Sequence, residues 1–177
     1  KTLPKGAVNV VTGPGSSVGE ALLKHPKVRR IAFTGSTEVG RHVMEVAGRE
    51  IKRVTLELGG SDPMIVCADG DVENAVRMAD VGRYFNCGQM CLGVKRLFLE
   101  DSIADDFVGK LVELLKKKTV GNGMKKESRM GPLHLDYQRK EVAEQVEEAK
   151  SRGAKILIGG ESAKGSEHDS GFFYLPT

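Results

Sequence analysis

The sequence predicts an α/β protein organised on parallel strands. Three observations carry that prediction. Short β-branched runs alternate with longer runs of helical periodicity, and several of the changes of period fall on glycine-bearing turns. The order strand, helix, strand, helix, strand suits a parallel sheet joined by right-handed crossovers.

Residues 7–11, Ala7-Val8-Asn9-Val10-Val11, read as a buried strand ending at the turn Thr12-Gly13-Pro14-Gly15. Ser16 or Ser17 is expected to cap a helix with an apolar stripe of Val18, Ala21 and Leu22, ending before Pro26. Residues 31–33 form a second strand. Val39, Val43, Val46 and Ala47 then recur at helical spacing. Residues 54–58 form a third strand, broken by Gly59-Gly60, the expected domain boundary. The pattern restarts with a strand at 63–67, and Asp71 caps a helix that turns Val72, Ala75, Val76 and Ala79 inward. Residues 97–99 are a strand, and Ser102 caps a helix with the stripe Ile103, Phe107, Leu111 and Leu114. Lys116-Lys117-Lys118 suits the negative end of that helix and reads as a solvated terminus. A polar connection (121–132) leads to a charged surface helix (137–152) with the thin stripe Val142, Val146 and Ala149. A last strand at 154–158 and an exposed loop at 161–170 precede an apolar end.

The 177 residues suffice for a sizeable core, and 29% charged with 40% hydrophobic residues is an ordinary globular balance. A net charge of +3 with interspersed signs gives no reason to expect nucleic acid or membrane as partner. Three cysteines, an odd number, argue against a disulfide framework and for a reducing, cytoplasmic setting. The chain starts at Lys1 and stops inside Gly171-Phe172-Phe173-Tyr174-Leu175-Pro176-Thr177, so it is expected to be a piece of a longer protein.

Three places could carry chemistry. Cys91 follows a helix and stands between Gly88 and Gly93, which lets substrate approach a bare backbone; it reads either as a nucleophile or as a small buried hydrophobe. Glu57 sits in an apolar strand, where a desolvated carboxylate would become a general base and a strand-end carboxylate would simply face water. Thr34-Gly35-Ser36-Thr37-Glu38-Val39-Gly40 joins a strand to a helix; it is either a phosphate site at a helix N-terminus or a plain turn. Cys87 lies four residues before Cys91, neither the redox spacing nor a zinc pattern, and Cys67 is expected in the core. His25, His42, His134 and His168 are scattered without metal-ligand spacing, so no metal is expected.

Taken together these residues resemble the aldehyde dehydrogenase superfamily. Four stretches carry the resemblance, in order: Leu3-Pro4-Lys5-Gly6-Ala7-Val8-Asn9-Val10-Val11-Thr12-Gly13, Phe33-Thr34-Gly35-Ser36-Thr37-Glu38-Val39-Gly40, Leu56-Glu57-Leu58-Gly59-Gly60 and Phe85-Asn86-Cys87-Gly88-Gln89-Met90-Cys91. The resemblance implies a three-layer αβα fold, incomplete at both ends. Residues 1–59 would be the C-terminal part of a Rossmann-like nucleotide-binding domain, and 60–177 a truncated, thiol-bearing catalytic domain.

By the same resemblance, Cys91 would attack a small aldehyde to give a thiohemiacetal, hydride would pass to NAD or NADP, and Glu57 would activate the water that releases the acid. An ordinary thiol is only about 3% ionised at pH 7, so such a site has to favour the thiolate. Thr34, Gly35, Ser36, Gly40, Leu58 and Gly59 would serve the cofactor. The full-length form would be a homo-oligomer. Family segments that complete the oxyanion hole and grip the cofactor riboses have no counterpart in these residues. The competing expectation is therefore a non-catalytic fragment that acts in packing or oligomerisation.

Overall fold

The computed structural model describes residues 3–177 and divides the chain between Gly59 and Gly60 into two compact units.

In the first unit, β1 (Arg30–Thr34) pairs in parallel with β2 (Arg53–Glu57), from Arg30 opposite Arg53 to Thr34 opposite Glu57. Alternation puts Ile31, Phe33, Val54 and Leu56 on one face. There α2 (Thr37–Arg49) lays down Val43 and Ala47, joined by Leu23 from the short α1 (Glu20–Lys24). Complete burial of such side chains is worth about 1.5–3 kcal/mol for the valine or leucine, enough to fix the helix on the strand pair. Ser36 caps α2, its Oγ accepting from the Val39 N–H at 3.2 Å. Lys52 Nζ reaches back to the Leu23 and His25 carbonyls at 2.6 and 2.9 Å and closes the end of α1.

Two expectations for this unit fail. Residues 7–11 form no strand: Val8, Val10 and Val11 are 67–84% exposed, because no described strand runs beside them to pair with. Neither Ser16 nor Ser17 caps a helix. The chain enters through a π-type turn, Gly15–Gly19, behind Pro14, and the residue turned to the core is Leu23, with Leu22 half exposed.

In the second unit, β3 (Asp62–Val66) pairs in parallel with β4 (Val94–Leu99). Asp71 caps α3 (Val72–Tyr84) through Oδ1 to the Asn74 N–H at 3.0 Å, as expected. Val76 and Ala79 of α3 and Phe107 of α4 (Asp101–Lys116) close on Val66, with Met64, Leu99, Ile103, Leu111 and Leu114 around them. The final helix α5 (Asp136–Ser151) buries no residue completely, which fits its thin stripe. Phe173 and Tyr174 are buried, bridged to the rest by Leu133 opposite Phe172 and Ser162 opposite Tyr174.

Here too the structure corrects the sequence. Cys67 is exposed, because the two-residue period of β3 gives the core position to Val66. Ser102 does not cap α4, whose N-cap is Glu100; the Glu100 carboxylate instead accepts from the Ala68 N–H at 2.7 Å. Lys118 is no solvated end: it forms a largely buried ion pair with Asp80 at 2.8 Å and lies over the Tyr84 ring. Residues 154–158 form no strand.

The architecture is an α/β fold with parallel strands and helices packed on them. No helix among the described residues is long and apolar enough to cross a membrane, and they contain no metal-binding cluster.

Candidate active site

The thiol loop starts where α3 stops. Within the short turn Phe85–Gly88 the backbone is left-handed at three successive residues: Asn86 (φ 49°), Cys87 (φ 58°) and Gly88 (φ 75°). Glycine adopts this region freely, whereas each residue with a Cβ costs about 1–3 kcal/mol there and must be held by its surroundings. The holding contacts are visible. Gln89 Nε2 donates to the Asn86 carbonyl and Gln89 Oε1 accepts from the His134 N–H, both at 3.0 Å. Cys87 Sγ faces the carbonyls of Gly131 and Pro132 at 3.1 and 3.3 Å. Carbonyl oxygens only accept, so Cys87 meets them as S–H, and burial pushes its thiol above the ordinary value.

Cys91 is the opposite case. It is exposed, which removes the buried-hydrophobe reading. Its carbonyl passes so close to Gly60 that a Cβ there would stand 2.9 Å from it. Lys95 Nζ donates to the carbonyls of Met90 and Cys91 at 3.1 Å and of Gly93 at 3.3 Å, and Arg96 Nε ties the loop to the Ser61 carbonyl at 2.9 Å. Gln89 and Lys95 were missed by sequence reasoning. A side chain that holds main-chain carbonyls leaves no periodicity or motif; the one available signal was a cation four residues after the cysteine.

The first unit gathers the remaining candidates at the carboxyl ends of its strands. Thr34 ends β1 opposite Glu57, and the Gly35 N–H donates to the Glu57 carbonyl at 3.0 Å. Gly35 leaves room for the Phe33 ring, and Gly40 leaves room for the Leu58 side chain, whose Cδ2 would be 2.6 Å from an added Cβ. Nothing lies within 4 Å of a Cβ built on Gly59. Glu57 is exposed, so within its unit the carboxylate faces water and is not desolvated.

One feature of this unit had not been anticipated. A mostly apolar cleft of about 630 Å³ runs between Gly15–Gly19 with α1 on one side and Val39 and Val43 of α2 on the other, over β1. His42 and Glu20 pair at its rim, and Lys24 and His42 hold the Glu20 carboxyl below its usual value. The start of α2 offers the Thr37 and Glu38 N–H groups, which meet no acceptor among the described residues. A phosphate could sit there and a flat apolar ring beside it. The Glu38 carboxylate opposes an anion at that point, but it is exposed and screened.

The aldehyde dehydrogenase family model matches residues 1–177. The chain belongs to the aldehyde dehydrogenase family. It is 45% identical over 175 residues to human retinaldehyde dehydrogenase 3, covering 98% of this chain and 33% of that protein. It is 44% identical to rat cytosolic aldehyde dehydrogenase 1 (98% and 34%). Among solved structures, betaine aldehyde dehydrogenase from Staphylococcus aureus in complex with NAD+ superimposes with a TM-score of 0.90 at 36% identity, over 98% of this chain and 34% of that one. The chain thus spans about a third of the length of these relatives. This membership makes the α/β architecture that of a partial aldehyde dehydrogenase.

Proposed function

We propose that this chain carries the nucleophile, the general base and part of the dinucleotide site of an NAD(P)-dependent aldehyde dehydrogenase, as part of a longer polypeptide. The observation that carries the reading is the contrast between two thiols four residues apart: Cys87 is tied down as S–H, and Cys91 stands exposed in a loop where Lys95 holds the carbonyls of Met90, Cys91 and Gly93. Residues 1–59 supply the end of the nucleotide-binding domain and 60–177 the thiol-bearing domain.

The Cys91 thiolate adds to the carbonyl carbon of a small aldehyde, and the carbonyl π pair moves onto oxygen to give a thiohemiacetal. A nicotinamide cofactor held at this site would supply the hydride acceptor that oxidation of the Cys91 adduct to a thioester requires. Glu57 takes a proton from water, the hydroxide oxygen attacks the thioester carbon, and the acid leaves as Cys91 regains its thiolate. Thr34, Gly35, Ser36, Gly40, Leu58 and Gly59 shape the cofactor site. The Ser36 hydroxyl accepts from Val39 and keeps its proton free to donate to a phosphate oxygen. The apolar cleft beside it suits the adenine ring. The NAD+ bound by the S. aureus relative supports NAD as cofactor; NADP is the alternative. The full-length protein is proposed to be a cytoplasmic homo-oligomer that needs neither nucleic acid nor membrane.

The test is aldehyde-dependent NAD(P)H formation by a full-length polypeptide carrying this sequence. Cys91→Ala should abolish turnover, whereas Cys87→Ala should retain a measurable rate. Undiminished turnover in Cys91→Ala overturns the assignment.

A further inference from the structure

Lys95 touches the peptide group of the proposed nucleophile without belonging to the residues assigned above. Its ammonium has three N–H donors, and three carbonyls surround it: Met90 and Cys91 at 3.1 Å and Gly93 at 3.3 Å. The Met90–Cys91 peptide is trans, so the Met90 C=O and the Cys91 N–H point in opposite directions. Lys95 and the Gly93 N–H, each at 3.1 Å, hold the Met90 carbonyl together and so fix the Cys91 N–H on the side away from the ammonium. That N–H meets no acceptor among the described residues. Contact with a cation also polarises the amide and makes its N–H a stronger donor.

We infer that Lys95 is a positioning residue: it orients and polarises the Met90–Cys91 peptide so that the Cys91 N–H faces the negative oxygen formed when the Cys91 sulfur adds to a carbonyl. In that step the S–C bond forms, the C=O π pair becomes the oxyanion, and nothing is oxidised or reduced. The inference rests on the reading of Cys91 as nucleophile. The competing role is a purely structural tie that keeps the loop folded.

Two probes of a full-length polypeptide carrying this sequence separate these roles. p-Nitrophenyl acetate acetylates a thiolate through an oxyanion and expels p-nitrophenolate. Iodoacetamide alkylates the same thiolate by displacing iodide at a saturated carbon, with no oxyanion. The ratio of the two rates at Cys91, followed by intact mass and peptide mapping, cancels any change in thiolate fraction or access. Lys95→Met should slow acetylation about 10-fold relative to alkylation, less than the 10²–10³ loss on deleting a donor, because Lys95 stays in contact with solvent. Lys95→Gln, neutral but still a donor, should show the same loss and decides the matter if the methionine variant fails to fold. Lys95→Arg should keep most of the ratio. An unchanged ratio in both neutral variants, or equal falls in both rates, overturns the inference while leaving Cys91 as nucleophile. Absence of acetylation at Cys91 in the unsubstituted chain overturns the nucleophile reading itself, and this inference with it.

Discussion

Thr34 and Glu57 are register partners at the carboxyl ends of β1 and β2, clasped there by the Gly35 N–H on the Glu57 carbonyl at 3.0 Å. In α/β sheets that edge is where ligand groups gather, because helix N-termini and strand-end side chains converge on it. Leu58 follows the last residue of β2 and packs on Gly40 of α2, so the position of Glu57 is set by helix packing as well as by the ladder. Gly40→Ala would put a Cβ within 2.9 Å of both Leu58 methyl carbons. The expected net cost is about 0.5–2 kcal/mol, overpacking against Leu58 offset in part by the better helix propensity of alanine. Leu58→Ala in the same chain should return part of it. Urea unfolding of the single and double variants checks this, and additive losses would contradict it.

Ser36 is given two tasks, a helix cap and a phosphate contact, and they can be separated. Ser36→Ala should lose about 1 kcal/mol of stability with the cap. Ser36→Asp keeps a capping oxygen and should keep stability, while its charge repels the phosphates and weakens dinucleotide binding. Thermal unfolding together with NAD titration of the full-length polypeptide reads both effects.

The Asp80–Lys118 pair has side chains only 16% and 12% exposed. Removing one partner leaves a charge without its counter-ion. Asp80→Ala is expected to destabilise by about 3–5 kcal/mol, well beyond the fraction of a kcal/mol of a surface pair. Chemical denaturation of the variant should show it, and the exposed pair Arg49–Glu45 should cost far less when broken.

His168 gives a pH dependence. Both ring nitrogens face carbonyl oxygens, Nδ1 that of Lys164 at 3.0 Å and Nε2 that of Val120 at 3.1 Å, so only the imidazolium donates to both. These two contacts, with the nearby carboxylates of Glu167 and Asp169, hold its pKa above the usual 6.5, and the Phe173 ring packs at its edge. A pKa raised in the folded state favours folding while the group is charged. The contribution is complete below pH 6.5 and is lost as pH rises through the higher folded-state value. The difference in Tm between the unsubstituted chain and His168→Ala should therefore shrink as pH rises across that window; a constant difference would contradict the double-donor geometry.

Local patterns were legible wherever both partners of an interaction lie close in sequence. The Asp71 cap, the stripes of α3 and α4 and, apart from the exposed Val39, that of α2 follow from side-chain spacing. Residues 7–11 and 154–158 have strand composition but no neighbour to pair with, and composition cannot supply one. Cys67 and Lys118 were misplaced because burial there depends on strand parity and on a carboxylate 38 residues away. Cys91, Glu57 and the Thr34–Gly40 turn stood out as residues, whereas the loop's supports, Gln89 and Lys95, became visible only in three dimensions.

The central assignment, Cys91 as nucleophile and Glu57 as the base that frees it, is tested most directly by the Glu57→Gln variant of a full-length polypeptide mixed rapidly with aldehyde and NAD(P). The expected result is a burst of one NAD(P)H per thiol, an acyl adduct mapped to Cys91, and almost no turnover after it. Steady turnover at the unsubstituted rate, or an adduct on any other residue, would contradict it.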